Sequence, residues 1–358
     1  MSIKDLIFFV YTVSISKFAD IWRLNKIMME IFRQFMKQNK IGKTELFHLD
    51  VKHYGSFNRD TMLYCIYEDG INLGFFAMYR HWLEYLYFAD ICGYTPVIRA
   101  GKNFEYQEEH AIGGTKNAFE YFFKQPSAVK VQDVKYSYKV MWSSPVHREM
   151  VELVYTGKMD HYGYTEKYMR EMGEIVRKYV AFNERTSNYV NEGMSKIGIG
   201  DGKALGIHIR GTDFRGRYNN HPVFVTEQDC FHEIDRMMQK NRYDKIFVAT
   251  DDQRILDAFL VEYGNLICCY HDVVRGRNNK SVAFSTSDRK NHKYLLGLEV
   301  IRDMYTLSKC DGLIAGISQV AICAQINKLS RHETYEDLCI LDKGIYQNQR
   351  GFHRGGKG

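Results

Sequence analysis

Proline is nearly missing from this chain: 358 residues contain four, at positions 96, 126, 145 and 222. That scarcity excludes a proline-rich linker or a low-complexity tail, and no internal repeat occurs at the periods of solenoids or propellers. The eight cysteines show no C-x-x-C or C-x-x-H spacing, so a zinc site has little to stand on. Cys268 and Cys269 lie inside the apolar run Leu266–Tyr270, where cysteine acts as a small hydrophobe, and a reducing, cytoplasmic setting suits all eight. Charge of one sign is also scarce. The net charge is +6, from 49 basic and 43 acidic residues, with no dense Lys/Arg stripe interleaved with aromatics. A nucleic-acid partner is thereby excluded, whereas an anionic small ligand or an anionic membrane surface fits. Long apolar runs are absent too. Asp5–Ser16 is too short to span a bilayer, begins with an acid, and is followed by no small-residue cleavage signature.

What is present is aromatic bulk. Hydrophobic residues make up 45% of the chain, with 26 Tyr and 22 Phe, enough for sizeable cores. The length exceeds one ordinary core and implies two domains, drawn at 1–195 and 196–345 with a loose tail at 346–358. The boundary is the glycine cluster Gly193, Gly198, Gly200 and Gly202. The stretch Gly198–Lys203 superficially suggests a phosphate loop, but it precedes its strand and lacks the Walker spacing. Near the N-terminus, Lys17–Lys40 carries apolar residues at helical spacing beside six basic residues: Lys17, Arg23, Lys26, Arg33, Lys37 and Lys40. Such a stripe is either core-facing or interfacial, so residues 5–40 are a candidate for peripheral membrane contact.

The first half reads as helical and aromatic. Asp69–Gly74 is a glycine-punctuated turn and candidate ligand loop, followed by a helix over Phe75–Ile91 and a strand beginning at Val97. Helical patterns return at Val146–Tyr155 and Tyr164–Arg185. The second half alternates. Strands are expected at Ala204–Ile209, Lys245–Ala249, Leu266–Tyr270, Gly312–Ala315 and Leu338–Leu341. Helices are expected at Thr226–Gln239, Gln253–Tyr263, His292–Ser308 and Gln319–Lys328. This pattern predicts a doubly wound α/β domain.

Four polar clusters fall at corresponding edges of that domain. The first is His208, Arg210 and Asp213: Ile207 and Ile209 alternate with His208 and Arg210, placing imidazole and guanidinium on one face at a strand end. A guanidinium there suits a phosphate, although a plain Arg210–Asp213 salt bridge is the better reading of the pair taken alone, and only the motifs downstream reverse it. The second is Thr250-Asp251-Asp252, a helix cap, a ligand contact or both. The third is Asp303, whose carboxylate borders an apolar helix face and is either an Asp on the solvated flank or an acceptor of two N–H bonds from a guanine edge. The fourth is Gly316–Gln319, where Ser318 and the following helix start make a phosphate cradle, an N-cap or both. Between the third strand and the Asp303 helix, the polar stretch Arg275–Asp288 is either a loop closing over an anion or a merely solvated one.

Taken in order, His208-Ile-Arg210-x-Thr-Asp213, His221-Pro222, Val248-Ala-Thr-Asp-Asp252, Val300-Ile-Arg-Asp303 with Leu307-Ser-Lys-Cys-Asp311, and Ser318-Gln319 resemble the fucosyltransferases of the α1,6, α1,2 and protein-O class. They are most similar to the α1,6 type and its bacterial nodulation relatives. The resemblance spans residues 204–330. It implies a GT-B-like architecture, with two Rossmann-like domains facing a cleft, and GDP-fucose as donor in a metal-free, inverting transfer without cofactor. It puts His208 and Asp303 on the guanine, Arg210 on the β-phosphate, Ser318 and Gln319 near the phosphates, Asp251 among the donor contacts and Asp213 in the catalytic cleft. The chain departs from the pattern at Gly211, where a second Arg is usual, and at Phe214, where Lys is usual. No Glu stands at the place of the family's proposed base.

The sequence therefore implies an inverting, metal-independent fucosyltransferase using a GDP-sugar and a glycan or lipid-linked oligosaccharide acceptor, with Arg210 and Asp213 as catalytic residues. Two other readings share the same nucleotide contacts: a transferase for another GDP-sugar, and a GDP-binding module with reduced catalysis. A metal-dependent hydrolase using His208, Asp251 and Asp252 lacks clustered ligand spacing.

Overall fold

The computed structural model describes residues 51–70, 73–145, 147–148, 151, 164–279, 282 and 287–347. The expected interfacial segment 5–40, most of the Val146–Tyr155 helix, the tail beyond residue 347 and parts of the Gly70–Gly74 and Arg275–Asp288 loops lie outside these residues. The chain divides into two compact units.

The first unit comprises the described residues of Met1–Ile71, Met78–Phe104 and Asn117–Ala181. Its elements are β1 (Val51–Lys52), β2 (Leu63–Glu68), α1 (Phe75–Cys92, from Met78 onward in this unit), β3 (Thr95–Ala100), α2 (Ala118–Phe122), β4 (Val140–Trp142) and α3 (Glu166–Tyr179). The sheet order is β1-β4-β2-β3, with β2 parallel to β3 and β4, and β1 antiparallel at the edge. Leu63–Ile66 are buried on both faces, as a central parallel strand requires. Gly93 ends α1 at φ +67, a left-handed step that glycine takes without strain.

The second unit comprises the described residues of Asn72–Ala77, Glu105–Lys116 and Phe182–Gly358. It holds α4 (Glu184–Lys196), β5 (Ala204–Ile209), α5 (Glu227–Lys240), β6 (Lys245–Thr250), α6 (Gln253–Tyr263), β7 (Ile267–Cys268), α7 (His292–Lys309), β8 (Gly312–Gly316), α8 (Gln319–Leu329) and β9 (Asp337–Leu341). All five strands are parallel in the order β7-β6-β5-β8-β9. This is the doubly wound order, with strand direction of travel reversing between β5 and β8. Leu205, Ile207 and Ile209 enter a core with Ile234, Val248, Ile255 and Phe259. On the opposite face, a Cβ at Gly206 would lie 3.1 Å from Leu307 and 3.2 Å from Cys310, so glycine lets α7 and the turn after it pack close to β5. Caps set the helix starts. Thr226 and Asp229 form a capping box on α5, Asp252 caps α6 and Ser318 caps α8.

The α/β class and the doubly wound C-terminal sheet agree with expectation. Two elements differ. The Tyr164–Arg185 pattern breaks into α3 and α4, because Asn183 caps a new helix by accepting from Thr186 N–H. The third strand of the second unit shrinks to Ile267–Cys268, because Gly264–Leu266 form a 3-10 turn while Cys269 and Tyr270 turn into the interior.

Candidate active site

The carboxyl ends of β5 and β8 are where a ligand crevice opens in a doubly wound sheet. A pocket lies there, lined by His208, Arg210, Thr250, Asp251, Leu296, Glu299, Val300, Asp303 and Val320, together with Tyr106, Val273, Val274 and Val282. Every one of these residues belongs to the second unit. Four of the seven sequence-predicted site residues, His208, Arg210, Asp251 and Asp303, therefore share one wall system. Asp213 and Ser318 stand behind it as partners of Arg210 and His208. Gln319 opens α8, one residue before Val320.

His208 is 6% exposed, and burial together with the charge of Arg210 pushes its pKa down to about 3. The ring is thus a neutral imidazole at any physiological pH. Ser318 Oγ accepts from Ala321 N–H as the α8 cap and sits 3.1 Å from His208 Nδ1. The serine can pass its own hydrogen to Nδ1, an arrangement that leaves the ring proton on Nε2. The cap and the ligand reading of Ser318 are therefore compatible.

Arg210 follows β5 directly. Its Nε donates to Asp213 Oδ1 at 3.0 Å and its Nη2 to Asp213 Oδ2 at 3.3 Å, with Asp251 Oδ2 3.3 Å from Nε. Burial opposes the positive charge, and the two carboxylates more than restore it. Burial alone would raise Asp213, but the guanidinium outweighs it and holds this carboxyl below the usual range. The salt bridge is real, and it orients the guanidinium while leaving it in the pocket wall.

Asp251 and Asp252 diverge. Asp251 accepts from Gly211 N–H at 2.8 Å and from Thr212 Oγ1 at 2.7 Å, bracing the turn that carries Arg210. Asp252 is fully buried, caps α6 at Arg254 N–H and pairs with Arg215 and Arg254. Gly211 is pressed against it: a Cβ there would come within 2.2 Å of Asp252 Cβ and 2.8 Å of Ile255. The departure at this position is thus built into the backbone, which has no room for an arginine.

Asp303 projects from α7 into the pocket, and no described residue hydrogen-bonds to it. Burial pushes its pKa up to about 7, against the pull of Arg275 and Arg302, with Glu299 and Asp272 adding to the rise. A carboxylate left without donors is suited to accept them from a ligand. One turn earlier, Glu299 is 5% exposed and pairs with Arg289.

Sequence reasoning missed Tyr106 and Glu299. Tyr106 comes from the strap Glu105–Lys116, far from β5 in the chain, and no local pattern signals it. Its ring meets Phe75 edge-on at 5.1 Å, and burial keeps its phenol protonated with a pKa pushed up to about 12. Glu299 could have been noticed as a second carboxylate one helical turn from Asp303. Among the described residues, no group of three or more His, Cys, Asp or Glu side chains is placed to hold a metal ion.

The pocket thus combines a fixed cation, a neutral imidazole, a neutral phenol and a donor-seeking carboxylate, a set that can hold an anion and read an N–H edge together. Comparison with known proteins bears on the same segment. Residues 168–337 match the family of Alpha-(1,6)-fucosyltransferase N- and catalytic domains. No curated protein matches the chain. Among solved structures, NodZ alpha-1,6-fucosyltransferase soaked with GDP-fucose aligns at 13% identity and a TM-score of 0.43, over 75% of this chain and 92% of its own. Fucosyltransferase NodZ from Bradyrhizobium aligns at 14% and 0.41, over 76% and 92%. POFUT1 in complex with GDP-fucose aligns at 10% and 0.44, over 80% and 99%. The motif series at the switch point of the second sheet thus lies within the stretch, residues 168–337, that is similar to the Alpha-(1,6)-fucosyltransferase N- and catalytic domains.

Proposed function

We propose that this protein transfers L-fucose from GDP-fucose to a hydroxyl of a glycan or lipid-linked oligosaccharide in the cytoplasm, with inversion and without a metal. The observation that carries the reading is the pairing, in one pocket, of Arg210 with the donor-seeking Asp303. A guanine edge offers two N–H groups to a carboxylate, and a diphosphate offers its charge to a guanidinium. In the reaction, the acceptor oxygen bonds to the anomeric carbon as the bond to the β-phosphate oxygen breaks. GDP leaves with the electron pair, and the proton of the acceptor hydroxyl passes to solvent water or to the departing β-phosphate. Arg210 neutralises the charge growing on the β-phosphate, held in place by Asp213 and Asp251. His208 and Tyr106 serve as neutral polar contacts, and Ser318 and Gln319 support the phosphate side. Arg210 holds Asp213 ionised and burial keeps His208 neutral, and neither side chain is assigned the role of base.

Acceptor-dependent release of GDP from GDP-fucose, followed with EDTA present and with GDP-mannose as competitor, tests the proposal. Turnover with GDP-fucose alone supports it, and turnover only with another GDP-sugar transfers the reading to that donor. A GDP-binding module with reduced catalysis is the second reading, favoured by the absence of space for a second arginine at Gly211. It predicts GDP binding with no acceptor-dependent release.

A further inference from the structure

Large hydrophobic side chains left in solvent are concentrated in one place. Of the nine such residues among those described, five are aromatic and lie on the β1, β2 and β4 side of the first unit: Tyr54, Phe57, Tyr67, Tyr136 and Tyr138. Pairing of the chain after β1 with the chain before β4 brings them together. Phe57 N–H donates to Tyr136 O at 2.9 Å, and Tyr138 N–H to Phe57 O at 2.8 Å. The rings of Phe57 and Tyr136 are 5.9 Å apart, and Trp142 links Tyr67, 6.4 Å away edge-on, to the Tyr54 hydroxyl, which accepts from its Nε1 at 3.0 Å. Single exposed hydrophobics need no explanation, but a contiguous aromatic surface does.

Cations are interleaved with it. Lys135 lies 4.8 Å over the Tyr136 ring, Lys139 and Arg59 lie 5.7 and 5.9 Å over Tyr138, and Arg99 lies 5.9 Å over Tyr67. A sugar ring stacks on an open aromatic face, and here cations occupy faces of three of the rings. What the surface offers outward is positive charge, phenol hydroxyls and ring edges. That composition is the one found where lipid headgroups meet hydrocarbon, with amphipathic rings at the boundary and Lys or Arg on the phosphates. The sequence shortly before it, Lys17–Lys40, has the same mixture of basic and apolar residues.

We propose that this aromatic and cationic surface docks the protein onto an anionic lipid surface, the rings entering the headgroup layer while the four cations pair with phosphates. The test is sedimentation of the full chain with vesicles of phosphatidylcholine alone, and of an equal mixture of phosphatidylcholine and phosphatidylglycerol. Binding is expected to the anionic vesicles only, weakening as salt rises. Replacing Tyr54, Phe57, Tyr136 and Tyr138 together by Ser should weaken it by about tenfold or more. The pair Lys135→Gln and Lys139→Gln should cost about fivefold for each charge, while Lys135→Arg with Lys139→Arg binds like the parent. Unchanged melting and nucleotide binding would show that the variants remain folded. Absent vesicle binding, equal binding to neutral and anionic vesicles, or variants that bind like the parent would overturn the proposal. So would capture of a soluble glycan by this surface without vesicle binding.

Discussion

At Arg210 the salt bridge is compatible with the phosphate contact proposed for it. Asp213 takes the Nε edge of the guanidinium, and Asp251 braces the turn beneath it. Arg210→Ala should lower turnover about a hundred- to thousandfold, the cost of about 2.7–4 kcal/mol usual for losing a charge-stabilising donor. The same variant strands Asp213, so a stability loss of about 1–3 kcal/mol is expected. That is less than for a fully buried pair, because the Arg210 side chain is 27% exposed. Denaturant titration alongside steady-state kinetics separates the two effects. Asp303 gives a pH prediction of definite sign. Its pKa of about 7 in the ligand-free site means that the carboxyl is progressively protonated below neutrality. A guanine edge needs the ionised form, so GDP affinity should plateau above about pH 7 and fall by about tenfold per pH unit below it. Titration calorimetry across that range checks the slope, and an affinity flat with pH contradicts the guanine assignment. His208 and Asp303 were legible in the sequence because each sits at a fixed offset in a strand or helix pattern. Tyr106 was not, since its partners come from distant parts of the chain.

At the scale of elements, α7 carries Glu299, Val300 and Asp303, so its placement decides the pocket. Its N-cap residue, Asn291, has φ 57 and makes no side-chain capping bond; Glu108 of the strap accepts from Tyr294 N–H at 3.0 Å instead. His110 of the same strap bonds Asn291 Oδ1 at 2.8 Å. Glu108→Ala should therefore cost about 0.5–2 kcal/mol, as for loss of a cap, and weaken GDP binding, since the strap also bears Tyr106. Thermal melts with and without GDP measure both; an unchanged melting temperature would remove the capping role. At the β5 turn, Gly211→Ala should destabilise by about 1–3 kcal/mol through overpacking against Asp252 and Ile255. Strands β5, β6, β8 and β9 were readable from alternation and apolar runs bounded by polar turns. The shortening of β7 was hidden because Leu266–Tyr270 is apolar throughout, and composition alone does not say where an edge strand stops pairing. Asn183 could have signalled the break between α3 and α4, being a good cap within an otherwise continuous helical pattern.

For the molecule as a whole, the described pocket and most of the family match fall on the second unit, while the first unit carries the exposed aromatic surface. Among the described residues, no helix is long and apolar enough to cross a membrane. The central claim is that the pocket of the second unit reads a guanine nucleotide. Its most direct test is thermal stabilisation by GDP in EDTA, with UDP and ADP as controls. A ligand at about a hundred times its dissociation constant adds about 2.7 kcal/mol to the stability of the unit that binds it. The account predicts a shift with GDP alone, lost in Asp303→Ala while the unliganded melting temperature is kept. An equal shift with all three nucleotides, or a full GDP shift in Asp303→Ala, would contradict it.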